Sequence, residues 1–191
     1  MQSVLREKLL AQGVKLAEVS AVYRTDSHRF ADAFLRWLEE AAQDLGPLRS
    51  PVSILLQAEK TSLVSVVDGY VPGHIQAGKN VRKTLRAAAA QSLERISREL
   101  YAQIGQIDSA LEQSNEKLCH AVAVLASKDP AVFRDLQASQ QGISALWQLL
   151  ARTPETVPMY NCFSARLAPT DRDYILLDIA QKIVGNRIGG G

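Results

Sequence analysis

The sequence predicts an all-α fold, an elongated bundle of four to six helices organised on one long amphipathic helix over about residues 76–127. Two observations carry this. No proline occurs between Gln76 and Ser127, and the apolar residues there return every eleven positions. Leu85, Ile96, Ile107 and Leu118 form one column, and Ala89, Leu100, Leu111 and Val122 form a second beside it. Eleven residues in three turns is a period of ~3.67, close to that of a straight α-helix and longer than the 3.5 of a left-handed coiled coil. At 1.5 Å per residue about fifty residues would reach ~75 Å, whereas a compact domain of this length is only ~40 Å across. Such a stripe therefore expects a partner surface, or a bend, for which Gly105 is the interior glycine best placed.

The remaining elements follow from boundary signals in chain order. Val4, Leu5, Leu9 and Leu10 suggest a short helix that breaks near Gly13, while Val19, Ala21 and Tyr23 alternate as in a strand; helix is the preferred reading. Asp26 or Ser27 can cap a helix that carries Phe30, Phe34, Trp37, Leu38, Ala41 and Leu45 on one face, with Gly46 and Pro47 as its stop. Ser50 followed by Pro51 reads as a cap plus first-turn proline, opening a helix to about Val67. An alternative makes residues 63–71 a hairpin around Asp68 and Gly69, which would need the 19–23 strand beside it. Asp129 with Pro130 repeats the cap signal ahead of Phe133, Leu136, Ile143, Leu146, Trp147 and Leu150, with Gly142 as a weak point. Residues 153–169 hold three prolines and read as a loop with one helical turn near 161–167. Thr170 with Asp173 resembles a capping box for a short last helix that stops at Gly185. The chain divides into an N-terminal helical segment, 1–72, and the long central helix plus the C-terminal helices, 73–191, as one continuous domain.

Composition bounds the function classes. With 47% hydrophobic and 22% charged residues the chain can bury a core, and a formal charge of +2 is too small an excess to indicate nucleic acid or membrane by itself. No segment approaches twenty uncharged apolar residues, and the first residues lack an apolar signal-type run. Cys119 and Cys162 are isolated thiols, expected to be buried small hydrophobes in a reducing compartment. A cytoplasmic protein is expected.

The motif that resembles catalytic machinery is the Gly73, Gly78, Lys79 spacing, which matches a P-loop of the Walker A type. In that chemistry backbone amides cradle phosphates, the lysine meets the β and γ oxygens, and a following hydroxyl binds magnesium. Asn80 stands where the hydroxyl belongs. Tyr174 to Asp178 imitates the apolar-plus-acid strand end that accompanies such a loop, but within a helix-periodic segment. Nucleotide binding is therefore not expected, and no cofactor is. Asp108, Glu112, Glu116 and His120 stand four apart on the side of the long helix away from its stripe, and read as a solvated face rather than a metal column. No nucleophile elbow, paired-cysteine motif or zinc-protease motif occurs.

One charged surface remains. Lys79, Arg82, Lys83 and Arg86 fall within about 100° of arc at the start of the long helix, and no acid follows until Glu94. Cations there oppose the helix dipole, so helix stability gives no reason for the cluster. An anionic counterpart would: a phosphate backbone, an acidic lipid, another protein, or the acidic residues of a second copy. The expected function is a non-enzymatic helical adaptor or assembly subunit that mediates protein–protein association as a homo-oligomer or with a partner. A nucleic-acid-binding module on the basic face is the alternative, and a degenerate P-loop nucleotide-binding protein is the third reading.

Overall fold

The structure, a computed structural model, describes residues 1–25, 29–69, 81–133 and 136–188. Among them are seven α-helices and no strand: α1 (Gln2–Thr25), α2 (Phe30–Leu45), α3 (Pro51–Val67), α4 (Val81–Lys128), α5 (Gln140–Arg152), α6 (Val157–Arg166) and α7 (Pro169–Ile188). The all-α class is as the periodicity predicts, with more helices than expected. The eleven-residue columns are the buried side of α4. Ile96, Ile107, Leu118, Ala89, Leu100, Leu111 and Val122 are all buried, and Leu85 is half-buried near the start of the helix. Residues 76–80 of the expected helix lie outside the described residues.

Several boundaries differ from the sequence reading for local reasons. α1 does not break at Gly13, because Leu9, Gln12, Gly13 and Leu16 form a continuous buried face. A Cβ at Gly13 would lie 3.5 Å from Leu100, so the glycine sits at a close approach of α1 and α4. The same continuity overturns the strand at 19–23. The hairpin is overturned as well: Leu63 and Val66 are buried in α3, and Gly69, at φ 90, donates its N–H to the Val66 carbonyl as a helix stop. Tyr70 and Val71 are outside the described residues. α2 begins after Arg29, whose side chain makes no cap; Asp26 and Ser27 also lie outside the described residues. Packing supports that start, since Tyr23, Phe30, Phe34 and Trp37 form a row with ring centroids 4.8 to 5.8 Å apart.

Ser50 caps α3 as expected, accepting from the Val52 amide at 3.2 Å with Pro51 in the first turn. Asp129 does not cap a helix. Its amide bonds the Leu125 carbonyl and extends the end of α4, and Pro130–Phe133 is only a 3-10 turn. The cap of α5 is Ser139, whose hydroxyl accepts from the Gly142 amide. Gly142 is there a packing requirement rather than a weakness, because a Cβ would overlap the Gln137 carbonyl oxygen. The proline-rich stretch holds a full helix, α6, with Pro158 in its first turn, where a missing N–H costs nothing. α7 starts at Pro169 and continues across Gly185. The Thr170 box does not form, since Asp173 bonds Arg172 and Gln140 instead.

The chain divides into two compact units, Leu5–Gln106 and Ile107–Gly191 with Met1–Val4. In the first, α1, α2, α3 and the beginning of α4 pack antiparallel in succession. Lys8 and Gln12 reach Asp44, and Lys60 reaches Glu39. Ser50 reaches Gln103 at 2.8 Å, and Glu59 accepts from Ser92 and Arg95 at 2.5 Å each. The core holds Leu9, Phe34, Leu38, Leu56, Leu63, Ile96 and Leu100, each at most 1% exposed. In the second unit Leu118, Leu125, Leu146, Leu150, Leu176 and Ile179 are buried. Buried Thr156 bonds the Leu150 carbonyl at 2.7 Å and fixes the turn between α5 and α6.

Candidate interaction surfaces

The basic cluster occupies one end of the N-terminal bundle. Arg82, Lys83 and Arg86 are exposed on the first turns of α4, and Lys79 lies outside the described residues. The Arg86 guanidinium sits 5.3 Å over the Tyr23 ring, which packs edge-on against Phe30. That stack ties the end of α1 to the start of α4 and brings exposed Arg24 to the same end of the bundle. Sequence reading missed Arg24 because it is far from the cluster in the chain. Its signal is the aromatic-arginine pair in the last turn of α1. Along the body of the bundle Lys8, Lys15, Lys60, Arg95 and Arg98 each have a carboxylate partner. Among the described residues Arg24, Arg82 and Lys83 have none.

A second surface was not legible in the sequence. α1 and α4 border an open groove of about 560 Å³ whose lining includes Gly13, Ala17, Ala90, Leu93, Ser97 and Tyr101. Small side chains make it shallow, and large apolar ones stand exposed beside it: Val14 at 64%, Tyr101 at 55% and Leu10 at 38%. Leu10, Val14, Ala17 and Ala21 are exposed at helical spacing, so α1 turns an apolar stripe outward as well as inward. Glu94 and Arg98, paired at 3.1 Å, are the charged residues lining the groove.

In the C-terminal unit Glu112, Glu116 and His120 are exposed and Asp108 is half-buried. No group of three His, Cys, Asp or Glu side chains among the described residues is arranged to hold a metal. Cys119 is half-buried, and burial raises its thiol pKa above the ordinary value. Cys162 is exposed, which corrects the expectation that both thiols are buried. Residues 73–80, with the P-loop spacing, are outside the described residues. Tyr174 to Asp178 lies within α7, and Asp178 accepts from Lys182 one turn on, at 2.6 Å. Its acid is thus a helix-surface ion pair and not a strand-end metal ligand.

Asp171, at the start of α7, is a heavily bonded carboxylate. It accepts from the Met1 ammonium at 2.7 Å, the Gln2 and Ser3 amides at 2.7 and 2.8 Å, and the Ser3 hydroxyl at 2.6 Å. Burial pushes its pKa up, but these donors outweigh burial and bring it down to about 2. It serves α1 as an N-cap supplied by another helix, a structural use of the charge.

Compared with protein families, curated proteins and solved structures, the chain shows no match. No helix among the described residues is long and apolar enough to cross a membrane.

Proposed function

We propose that this chain is a non-enzymatic helical association subunit, which binds a helix of another polypeptide through the α1–α4 face of its N-terminal bundle. The observation that carries this reading is the apolar surface left uncovered there. Leu10, Val14 and Tyr101 flank a groove floored by small residues, the arrangement in which one helix seats the apolar face of another. Exposed tyrosine beside a small-residue pocket is the composition of an energetic centre in protein interfaces. The free thiols support a reducing, cytoplasmic setting.

Val14→Asp tests the reading, because it puts a charge into the interface without touching the bundle core. The tagged full chain in native cell extract is expected to elute larger than the purified Val14→Asp chain, and the variant in extract to elute at the variant's own size. A wild-type chain that elutes in extract at the size of the variant overturns the proposal.

A second reading rests on Arg24, Arg82 and Lys83, cations with no carboxylate partner among the described residues, which support binding of a nucleic-acid backbone. Each phosphate that Arg82→Glu releases would lower the log affinity versus log salt slope by about 0.7 to 0.9. A slope unchanged by Arg82→Glu and Lys83→Glu rejects it.

A further inference from the structure

The occupant of the α1–α4 groove can be narrowed, on the premise that this face is an association surface. Features along α4 complement one another. Tyr101, large and exposed, stands eleven residues from Ala90, and three turns return both to one face. Tyr101 is a knob, and Ala90 and Leu93, with Ala17 and Ser20 across the groove, form a hole farther along it. Between them Glu94 and Arg98 stand one turn apart with opposite charge, 77% and 76% exposed at their side chains.

A surface that bears its own knob, hole and opposite charges is complementary to itself under a twofold rotation. An axis crossing α4 near Ile96 and Ser97 puts Glu94 of one copy beside Arg98 of the other, twice. The same axis puts Tyr101 of one copy over Ala90 and Leu93 of the other, also twice. Knob, hole and charges thus satisfy one axis position. A helix from an unrelated protein would need only an apolar face, whereas a second copy also brings charges that match the Glu94 and Arg98 order.

We infer that a second copy of this chain is the occupant, docked with the two α4 helices antiparallel about that axis. Each exposed tyrosine is then covered, and the intrahelical Glu94–Arg98 pair is shared across the interface. The exposed stripe Leu10, Val14, Ala17 and Ala21 flanks the docked helices.

Sedimentation equilibrium of the purified full chain tests this. The wild-type chain is expected to be a reversible dimer in the micromolar range. Tyr101→Ala is expected to weaken it about tenfold or more, which is the loss of one apolar anchor on each side. Glu94→Arg or Arg98→Glu alone, each setting like charges together twice by symmetry, is expected to weaken it about three- to tenfold. The double variant Glu94→Arg with Arg98→Glu is expected to return to within about threefold of wild type, the signature of a charge pair reversed in both copies. All four variants alter the surface only, so unchanged melting and circular dichroism separate a docking defect from a folding defect.

A purified chain that stays monomeric at ~100 μM overturns the second copy as occupant. If the same chain is still assembled in extract in a Val14-dependent way, the association reading survives with a different protein partner. If it is not, both fall. A dimer that ignores Tyr101→Ala and the charge reversals overturns the docking on this face.

Discussion

Four donors converge on Asp171, and none could be anticipated from residues adjacent to it, because its partners lie 168 residues or more away in the chain. Its folded pKa of about 2 is below the ~3.9 of a free aspartate, so the clasp contributes fully above about pH 4 and is lost as pH falls through about 2. The linkage amounts to about 2 to 3 kcal/mol at neutral pH. Asp171→Asn is therefore expected to lower the melting temperature at pH 7, with the difference from wild type shrinking as melts are repeated toward pH 2. A difference independent of pH would show that the charge is not what holds the start of α1. The glycines invite a paired comparison. Sequence reading treats Gly105 and Gly142 alike as weak points, but Gly105 has open space around its missing Cβ and Gly142 faces a backbone carbonyl. Gly105→Ala is expected to raise unfolding free energy by about 0.5 to 1 kcal/mol, and Gly142→Ala to lower it by about 1 to 3 kcal/mol, in urea titrations. Equal effects of one sign would contradict the packing described for α5.

Elements that bury a repeating face were legible; elements defined by tertiary partners were not. The eleven-residue period located α4 because one continuous face of it is covered, and Leu100 lies at its centre, fully buried. Leu100→Asp is expected to cost roughly 3 to 5 kcal/mol, as an unpaired buried charge does, read as a collapse of the urea midpoint. An unchanged midpoint would place Leu100 on the surface. Caps divided along the same line. Ser50 caps α3 as its local pattern predicts, since its hydroxyl can accept from the Val52 amide while donating to Gln103. Asp129 carried a similar pattern and failed, because its backbone was already used by the end of α4. The α3–α4 register has a determinant that sequence reading did not anticipate. Buried Glu59 ties Ser92 to Arg95, and its partners stand more than thirty residues away. Glu59→Ala is expected to destabilise by about 1 to 3 kcal/mol, and Glu59→Gln by less, because the amide can keep the Ser92 bond. Equal losses in the two variants would show that packing alone sets the contribution of Glu59.

Across the whole molecule, the chain resolves into Leu5–Gln106 and a second unit, and both candidate surfaces belong to the first. The basic cluster was legible as a run on one helix, although its extension to Arg24 needed the Tyr23 and Arg86 stack. The groove was not, because the inward stripe of α1 masks its outward one until α4 is laid beside it. The apolar columns of α4 are buried within the chain, so the groove, lined on α4 by Ala90, Leu93, Ser97 and Tyr101, is a separate surface from the stripe the periodicity showed. Position-specific photo-crosslinking tests the association surface most directly, with a benzophenone side chain placed at Val14, exposed on α1 next to groove-lining Gly13, or at Ser62, exposed on α3 of the same unit. Adducts to a polypeptide, a second copy included, are expected from position 14 and not from position 62. Adducts from position 62 alone, or from neither position, would contradict an association surface on the α1–α4 face.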